Sequence, residues 1–206
     1  MTADGSTVLL RRGHWIFDLD GTLTQPLHDF AAIRATLGVP AERGILEYIQ
    51  ALPEPERSQR NRQLTELELA LARRAAPNPG ASPLLRWLAT QGVRLGILTR
   101  NRRQCVDIAL QRLAVEHLFD GDAIIACEDA SPKPDPAGIH RLLGYWGASA
   151  DDALIVGDYR YDLEAGRAAG IATVLLHTGR PETWPALTDL TVASLDELQR
   201  RRALLC

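Results

Sequence analysis

The sequence has little lysine, little cysteine and no long apolar run, and each shortage excludes a class of protein. Of its 23 lysine and arginine residues, 22 are arginine and one is Lys133. The three cysteines, at positions 105, 127 and 206, lack the paired spacing of a zinc site or a disulfide framework. No apolar run could span a bilayer, and the first residues lack the apolar core of a secretory signal. These shortages predict a cytoplasmic protein with reduced thiols and no membrane partner.

Basic charge is not in excess either. The net charge is −3 at pH 7 and the pI is about 6.0, whereas nucleic-acid-binding surfaces are usually basic, so no nucleic-acid partner is predicted. The arginine triplet at 200–202 is interpreted as a solvated helix face or as a complement of the helix dipole. The five histidines are dispersed, without the spacing of metal ligands. With 206 residues, the chain can form one substantial core and a modest insertion.

Two carboxylates directly follow the first apolar run. Residues 15–17 (WIF) predict a buried strand that ends at Asp18 and Asp20, and Gly21 lets the chain turn sharply behind them. Ligands of open parallel sheets bind at the carboxyl ends of the strands. Carboxylates this close repel each other unless a cation bridges them or one stays protonated. Mg²⁺ would suit such oxygen ligands, although Asp-Gly is also a common turn dipeptide.

The single lysine lies in a stiff loop. Lys133 is flanked by three prolines in residues 131–136 (SPKPDP), just before a predicted helix. Lysine is a compact point charge, whereas arginine is a broad planar fork. A position that needs an ammonium between carboxylates and a phosphate oxygen could not change to arginine. The alternative is a surface lysine that escaped replacement by chance.

Two further predicted strands end in polar residues. Residues 93–98 (VRLGIL) precede Thr99, whose hydroxyl could bind a phosphate together with backbone N–H groups at the start of the next helix. Its neighbours Arg100 and Asn101 are predicted to contact the substrate. Residues 153–156 precede Gly157 and Asp158, and Asp162 follows one helical turn later. Polar segments that follow strands in this order predict one shared site.

In these motifs the chain resembles the haloacid dehalogenase superfamily hydrolases, and among them the phosphatases with a small helical cap, such as phosphoglycolate phosphatases. The similarity spans residues 14 to about 178. Residues 18–24 (DLDGTLT) match the first motif and Thr99 the second. Lys133 matches the third, and Gly157-Asp158 with Asp162 matches the fourth.

The resemblance implies a role for each matched residue in the chemistry. Asp18 would be the nucleophile that forms an aspartyl-phosphate, and Asp20 the general acid and base. Thr99 would hold the phosphoryl group, with Gly21 also in the substrate-binding set. Lys133 would orient Asp18, bind the phosphoryl group and offset charge. A carboxylate that attacks a phosphate dianion needs such neighbouring positive charge.

The resemblance also implies a metal cofactor. Mg²⁺ would be bound by Asp18, by the backbone carbonyl of Asp20 and by Asp158. Asp162 would support Lys133 or the groups around the metal. An all-oxygen ligand set is the kind that Mg²⁺ prefers.

The alternation of strand and helix signals predicts an α/β fold, with a Rossmann-like parallel sheet flanked by helices. One helix is expected over 101–113, with Asn101 as its N-cap and Gln104 completing a capping box. Others are expected from 135–136 to about 145, and over 162–169 with Gly170 as the residue that ends the helix. Residues 171–176 predict another buried strand, and 194–197 (SLDE) a capping box at the last helix.

Strand signals stop between the first and second motifs. Residues 24–81 predict helices only, over 27–37, 41–51 and 55–76. This pattern predicts a small all-helical cap domain over 24–81, inserted into an α/β core domain of residues 1–23 and 82–206. The hinges would lie at 24–26 and 77–82, and closure would exclude water from the site.

The spacing within the last predicted cap helix separates two faces. Leu64, Leu67 and Leu71 share an apolar face, whereas Glu68 and Arg60 belong to a charged face. Nothing in the spacing shows which side chains of this helix reach the substrate.

The motifs leave several functions to compare. Dehalogenases of this fold lack an acid at the position of Asp20, and a phosphonate-cleaving relative needs a lysine that the cap lacks. A sugar phosphomutase stays possible, although His28 does not clearly match the expected cap histidine, and so does a catalytically silent ligand-binding protein. The leading prediction is a phosphatase for a small phosphorylated metabolite, anionic or hydroxylated. Phosphoglycolate, a sugar phosphate or a nucleotide monophosphate would fit equally, and the sequence leaves monomer or homodimer undetermined.

Overall fold

The computed structural model describes residues 8–27, 29–177, 179 and 182–205. Its strands are β1 (His14–Phe17), β2 (Arg94–Leu98), β3 (Ile124–Ile125), β4 (Ala153–Gly157), β5 (Ala172–Leu176) and β6 (Leu190–Val192). Its α-helices are α1 (Phe30–Leu37), α2 (Ile45–Gln50), α3 (Glu56–Ala72), α4 (Ala81–Thr90), α5 (Arg103–Leu113), α6 (Ala137–Trp146), α7 (Arg160–Ala168) and α8 (Leu195–Ala203). The length and apolarity needed to cross a membrane are found in none of these helices. His28 and Cys206 lie outside the described residues.

The strands form one six-stranded parallel sheet in the order β3-β2-β1-β4-β5-β6. Side chains of β1 alternate between its two faces: Trp15 and Phe17 belong to one hydrophobic cluster and Ile16 to another. Parallel sheets are normally covered on both faces in this way, which explains the unbroken apolar runs in the sequence. The predicted Rossmann-like α/β core is confirmed.

The register of the three central strands sets the position of the polar residues. Phe17 lies beside Ile97 of β2 and beside Val156 of β4. The strands β1, β2 and β4 therefore end at the same level. Asp18, which follows β1, thus comes to the same edge of the sheet as the residues that follow the other two strands.

Two details of the sheet and of the helix after β2 differ from the predictions. Strand β3 was not predicted, because two residues are too few to show a periodicity. Helix α5 begins at Arg103 with Arg102 as its N-cap, so the capping box of Asn101 and Gln104 is wrong. Asn101 lies just before the helix and uses its side chain elsewhere.

Other helix ends follow the predicted signals more closely. Helix α7 begins two residues earlier than expected, so Asp162 lies in its first turn and accepts a hydrogen bond from Tyr159 N at 3.1 Å. Gly170 follows this helix with a φ of 73°, as the prediction of a helix-ending glycine requires. Ser194 caps α8 by accepting a hydrogen bond from Glu197 N at 3.1 Å.

The interpretation of the arginine triplet is wrong for one of its members. Arg202 is buried, and its guanidinium lies 5.2 Å from the centre of the Trp15 ring. It also donates a hydrogen bond to the carbonyl oxygen of Leu10. A guanidinium can stack on an aromatic ring and donate hydrogen bonds at the same time, so arginine suits this buried position.

The segment between β1 and α4 is helical throughout its regular elements, as predicted. We call residues 30–72, which contain α1, α2 and α3, the helical insertion. Its helices are shorter than the predicted ranges, mainly because α2 begins only at Ile45 and α3 ends at Ala72. The insertion has a hydrophobic cluster of its own, formed by Ile33, Leu37, Val39, Ile49 and Leu64.

The chain enters and leaves the helical insertion along two adjacent segments. Gln25 N donates to the carbonyl oxygen of Ala76, and Asn78 N donates to that of Leu23, both at 2.9 Å. The Asn78 side chain also donates to the carbonyl of Thr22 at 3.0 Å. The segments predicted as hinges are therefore bonded to each other and to the loop that follows β1.

Candidate active site

Lys133 lies at the centre of the polar cluster at the end of the sheet. Its Nζ donates hydrogen bonds to Asp162 Oδ1 at 2.5 Å, to Asp18 Oδ1 at 2.6 Å and to the carbonyl oxygen of Leu98 at 2.7 Å. Only 3% of the lysine surface is exposed. Three acceptors match the three donors of an ammonium, which is how a buried lysine can stay charged.

The electrostatics of this cluster arise from one ammonium shared by two carboxylates. Burial acts to lower the pKa of Lys133, but the charges of Asp162 and Asp18 outweigh it, so the pKa is raised. For Asp162, burial raises the pKa to about 6. The charge of Lys133 opposes this rise, and the charge of Asp18 adds to it. The cluster therefore has more negative charge than its ammonium can neutralise.

Three buried carboxylates form a group that fits a metal ion. Oxygen atoms of Asp18, Asp158 and Asp162 all lie within 4.8 Å of one another. This donor set is hard and carries excess negative charge, as a Mg²⁺ site requires. The Asp20 side chain is not in this group; its predicted contribution was its backbone carbonyl.

The loop after β1 is fitted closely against Asp158. Gly21 has a φ of 90°, and a Cβ built on it would lie 2.5 Å from Asp158 Oδ2. Thr22 Oγ1 donates to Asp158 Oδ1 at 3.4 Å. Gly21, predicted as a substrate-binding residue, is not among the described residues that line the cavity below; the structure places it against Asp158.

Asp20 and the residues after β2 form a second polar group. Asn101 Nδ2 donates a hydrogen bond to Asp20 Oδ2 at 3.1 Å, while its Oδ1 accepts one from Arg102 N at 2.8 Å. The Thr99 hydroxyl accepts a hydrogen bond from Asn101 N at 3.0 Å. The amide of Asn101 can therefore hold the Asp20 carboxyl in one orientation.

Arg100 joins the core to the helical insertion. Its Nη2 lies 2.7 Å from Glu47 Oε1 of α2, and its Nη1 donates a hydrogen bond to the carbonyl oxygen of Lys133. The guanidinium also lies 5.0 Å from the centre of the Tyr161 ring. Arg100 was predicted to contact the substrate, and the structure shows these protein contacts for its guanidinium.

Two glutamates of the insertion were not predicted to be near the site. Glu47 pairs with Arg100, and Glu68 Oε2 lies 3.3 Å from Arg102 Nε. Burial raises the pKa of Glu68 to about 7, although Arg102 opposes the effect, and the charge of Asp20 adds to it. Neither contact could be predicted from the sequence, because the spacing within a helix does not show which residues of other segments lie against it.

A cavity of about 300 Å³ opens above these groups. Carboxylates from the core line one part of it and side chains of the helical insertion line another. Among the predicted site residues, the lining includes Asp18, Asp20, Thr99, Arg100, Asn101, Lys133, Asp158 and Asp162. The structure thus brings residues from four separate motifs to one cavity.

Comparison with known proteins agrees with this arrangement. A family model for haloacid dehalogenase-like hydrolases matches residues 29–176, well over half of the chain. The chain belongs to the haloacid dehalogenase-like hydrolases. An uncharacterized hydrolase of Saccharomyces cerevisiae is 30% identical over 164 residues, which cover 78% of this chain and 75% of the yeast protein.

Two further similar proteins extend the comparison. A phosphoglycolate phosphatase of Pseudomonas savastanoi is 28% identical over 211 residues, covering 90% of this chain and 76% of its own. The crystal structure of a hydrolase from Pseudomonas syringae superposes with a TM-score of 0.77 at 21% identity, covering 95% of this chain and 100% of the other. The second comparison shows a common fold.

Proposed function

We propose that this hydrolase is a Mg²⁺-dependent phosphatase that cleaves a small phosphomonoester through an aspartyl-phosphate on Asp18. The observation that carries the proposal is the buried Lys133, bonded to Asp18 and Asp162 beside the group of three carboxylates. The relatives named phosphoglycolate phosphatases support a phosphatase.

The first half-reaction would transfer the phosphoryl group to the protein. Lys133 holds Asp18 Oδ1, which leaves Oδ2 as the oxygen that attacks phosphorus. As that bond forms, the bond from phosphorus to the leaving oxygen breaks, and Asp20 gives that oxygen a proton. Asn101 would keep the Asp20 carboxyl directed at it. Mg²⁺, held by Asp18, the Asp20 carbonyl and Asp158, would supply charge neutralisation on the phosphoryl oxygens.

The second half-reaction would release phosphate. The ionised Asp20 takes a proton from water as the water oxygen attacks phosphorus, and the bond to Asp18 breaks. Thr99 and Lys133 would hold the phosphoryl oxygens through both steps. Residues 24–81 would act as a cap on a core of residues 1–23 and 82–206, and closure would keep other water out.

The test is a phosphate-release assay on the purified protein with Mg²⁺. The panel would contain phosphoglycolate, sugar phosphates and nucleotide monophosphates. We expect release from at least one ester, loss of release in excess chelator and recovery when Mg²⁺ is restored. Full activity after chelation and dialysis would contradict the metal role. Absence of release from every ester would contradict a phosphatase.

A further inference from the structure

Three aromatic side chains that line the cavity are partly exposed to solvent. Phe30, Tyr159 and Tyr161 all line it, and they are 51%, 43% and 36% exposed. Among the described residues, the exposed large hydrophobic side chains number six, so half of them face this one cavity. Clustered exposed aromatic side chains mark binding surfaces more often than chance exposure.

The helical insertion adds aliphatic surface to the same cavity. We define the apolar lining as Phe30, Ile33, Ile45, Leu46 and Leu64, which come from all three helices of the insertion. Ile33 and Leu64 also belong to the hydrophobic cluster of the insertion, which fixes their positions. A ligand group that meets this lining gains by leaving water if it is itself apolar.

The charges around the cavity disfavour a second anionic group on the ligand. The acidic side chains in the lining are Asp18, Asp20, Glu68, Asp158 and Asp162, and the basic ones are Arg34, Arg100 and Lys133. Arg100 and Lys133 are paired with the carboxylates of Glu47 and Asp18. Arg34 directs Nε and Nη2 at the carbonyl oxygen of Arg43, at 3.4 and 3.5 Å. A carboxylate on the leaving group would therefore have to compete with these existing partners for a cation.

The aromatic side chains at the end of β4 are held in place by one another. The Tyr159 ring lies edge-on to that of Tyr161 at 5.2 Å and to that of Trp184 at 5.5 Å. Arg100 lies over Tyr161. Rings already fixed by such contacts lose little conformational freedom when a planar ligand packs on them.

We propose that the site selects phosphomonoesters whose leaving group carries an uncharged planar ring. The phosphate would bind at the end of the sheet, and the ring would pack between the apolar lining and the tyrosines. This inference rests on the proposed phosphatase function and specifies its substrate class. It differs from the expectation of an anionic or hydroxylated metabolite, because the side chains of the insertion are now placed.

The test compares four esters of primary alcohols, so that the bond broken is similar in each. They are benzyl phosphate, cyclohexylmethyl phosphate, ethyl phosphate and 2-phosphoglycolate, assayed with Mg²⁺. We expect kcat/KM for benzyl phosphate to exceed each of the other values by about tenfold or more, as one well-packed ring can provide. Equal kcat/KM values for the benzyl and cyclohexylmethyl esters would overturn the proposed preference for a planar ring. A higher kcat/KM for 2-phosphoglycolate would overturn the proposed preference for an uncharged leaving group.

Three leucine variants locate the preference in the cavity. Phe30→Leu and Tyr161→Leu should each reduce the ratio of benzyl to ethyl turnover, mainly through KM. Tyr145→Leu is the matched control, because Tyr145 is also an exposed tyrosine, 45% accessible, but does not line the cavity. A ratio that falls equally in all three variants, or in none of them, would overturn the inference.

Binding separates this inference from the phosphatase proposal. Calorimetry with benzylphosphonate and ethylphosphonate, which cannot be hydrolysed, needs no turnover. If neither these four esters nor any ester of the earlier panel releases phosphate, the phosphatase proposal fails, but tighter binding of benzylphosphonate by about tenfold would still support a binding site for the ring. Equal affinity for the two phosphonates would overturn the proposed preference for a planar ring, whether or not any ester is hydrolysed.

Discussion

At the edge of the sheet the polar side chains are fixed by backbone register, whereas those of the helical insertion are placed by helix packing. Asp18 is positioned by β1, and Lys133 by its hydrogen bonds to Asp18, Asp162 and the backbone at the end of β2. The insertion meets the core through partly exposed ion pairs such as Arg100–Glu47, and its apolar lining faces the cavity. The chemistry would thus depend on positions set by the sheet and the specificity on positions set by the packing of the inserted helices.

The largest effect should come from the sheet. Asp18→Asn removes the proposed nucleophile but keeps its shape, so turnover should fall by more than about a hundredfold, since a lost nucleophile raises the barrier by several kcal/mol. Phosphate release under saturating substrate measures the effect, and circular dichroism checks the fold. More than about a hundredth of the wild-type rate, in a folded variant, would contradict the role of Asp18.

Lys133→Arg tests whether the shape of the cation matters as well as its charge. A guanidinium is larger and flatter than an ammonium, so it cannot meet three acceptors at 2.5 to 2.7 Å in the same space. We expect kcat to fall by about a hundredfold, with a smaller change in KM.

Arg57→Lys is the control for that exchange, because Arg57 forms an exposed ion pair on the insertion. Its effect on kcat should stay within about twofold, as for other surface substitutions. Near-wild-type turnover of the Lys133 variant would show that this lysine persists by chance.

A smaller effect is expected on the insertion, and it depends on pH. The pKa of Glu68 is raised from 4.5 to about 7, so the folded protein holds this proton more tightly than the unfolded chain. Stability is then lost as the pH rises from about 4.5 to 7. Glu68→Gln cannot ionise, so its free energy of unfolding should exceed that of the wild type by about 1 to 3 kcal/mol at pH 8.

Urea unfolding at pH 5 and pH 8 measures the difference for Glu68→Gln. At pH 5 the gain should be much smaller, because the folded wild type is then largely protonated at Glu68. Glu66→Gln, at an exposed position of the same helix, should show the same difference at both pH values. A gain in the free energy of unfolding that is the same at both pH values would contradict the ionisation of Glu68 as its cause.

The smallest effect should come from the ion pair between the two regions. Glu47→Gln breaks the contact with Arg100, but Glu47 is half exposed, so about 1 kcal/mol or less is at stake. We expect KM to rise by less than about fivefold, and less still in high salt. Glu54→Gln, which breaks an ion pair within the insertion alone, should leave KM unchanged. A tenfold rise in KM would show that this contact does more than hold the insertion in place.

The same difference between the regions decides what could be predicted from the sequence. Strands β1, β2 and β4 and the polar residues at their ends were predicted, because apolar runs and strand ends are local signals. The two-residue β3 was missed because it is too short for a pattern. Asn101 was assigned to a helix cap because the local rule could not include Asp20, which lies 81 residues away.

Contacts between distant segments account for the other misses. Glu68 was placed on a charged face, but tertiary packing turns it toward Arg102 and the cavity. Arg202 was assigned to solvent, yet it packs on Trp15 from the far end of the chain. In each case the side chain lies on a helix, as the local pattern predicted. Its partner comes from a distant segment that only the tertiary fold brings near.

The bonded pair of segments around Thr24 and Pro77 carries both backbone connections between the helical insertion and the core. Because the two backbone ends are already adjacent, a short turn could join them with little entropy of loop closure. We expect the sheet and its polar edge to fold around peptides of very different length at this point. Under the proposed function, the core would then supply the chemistry, and the inserted part would determine which substrates reach it.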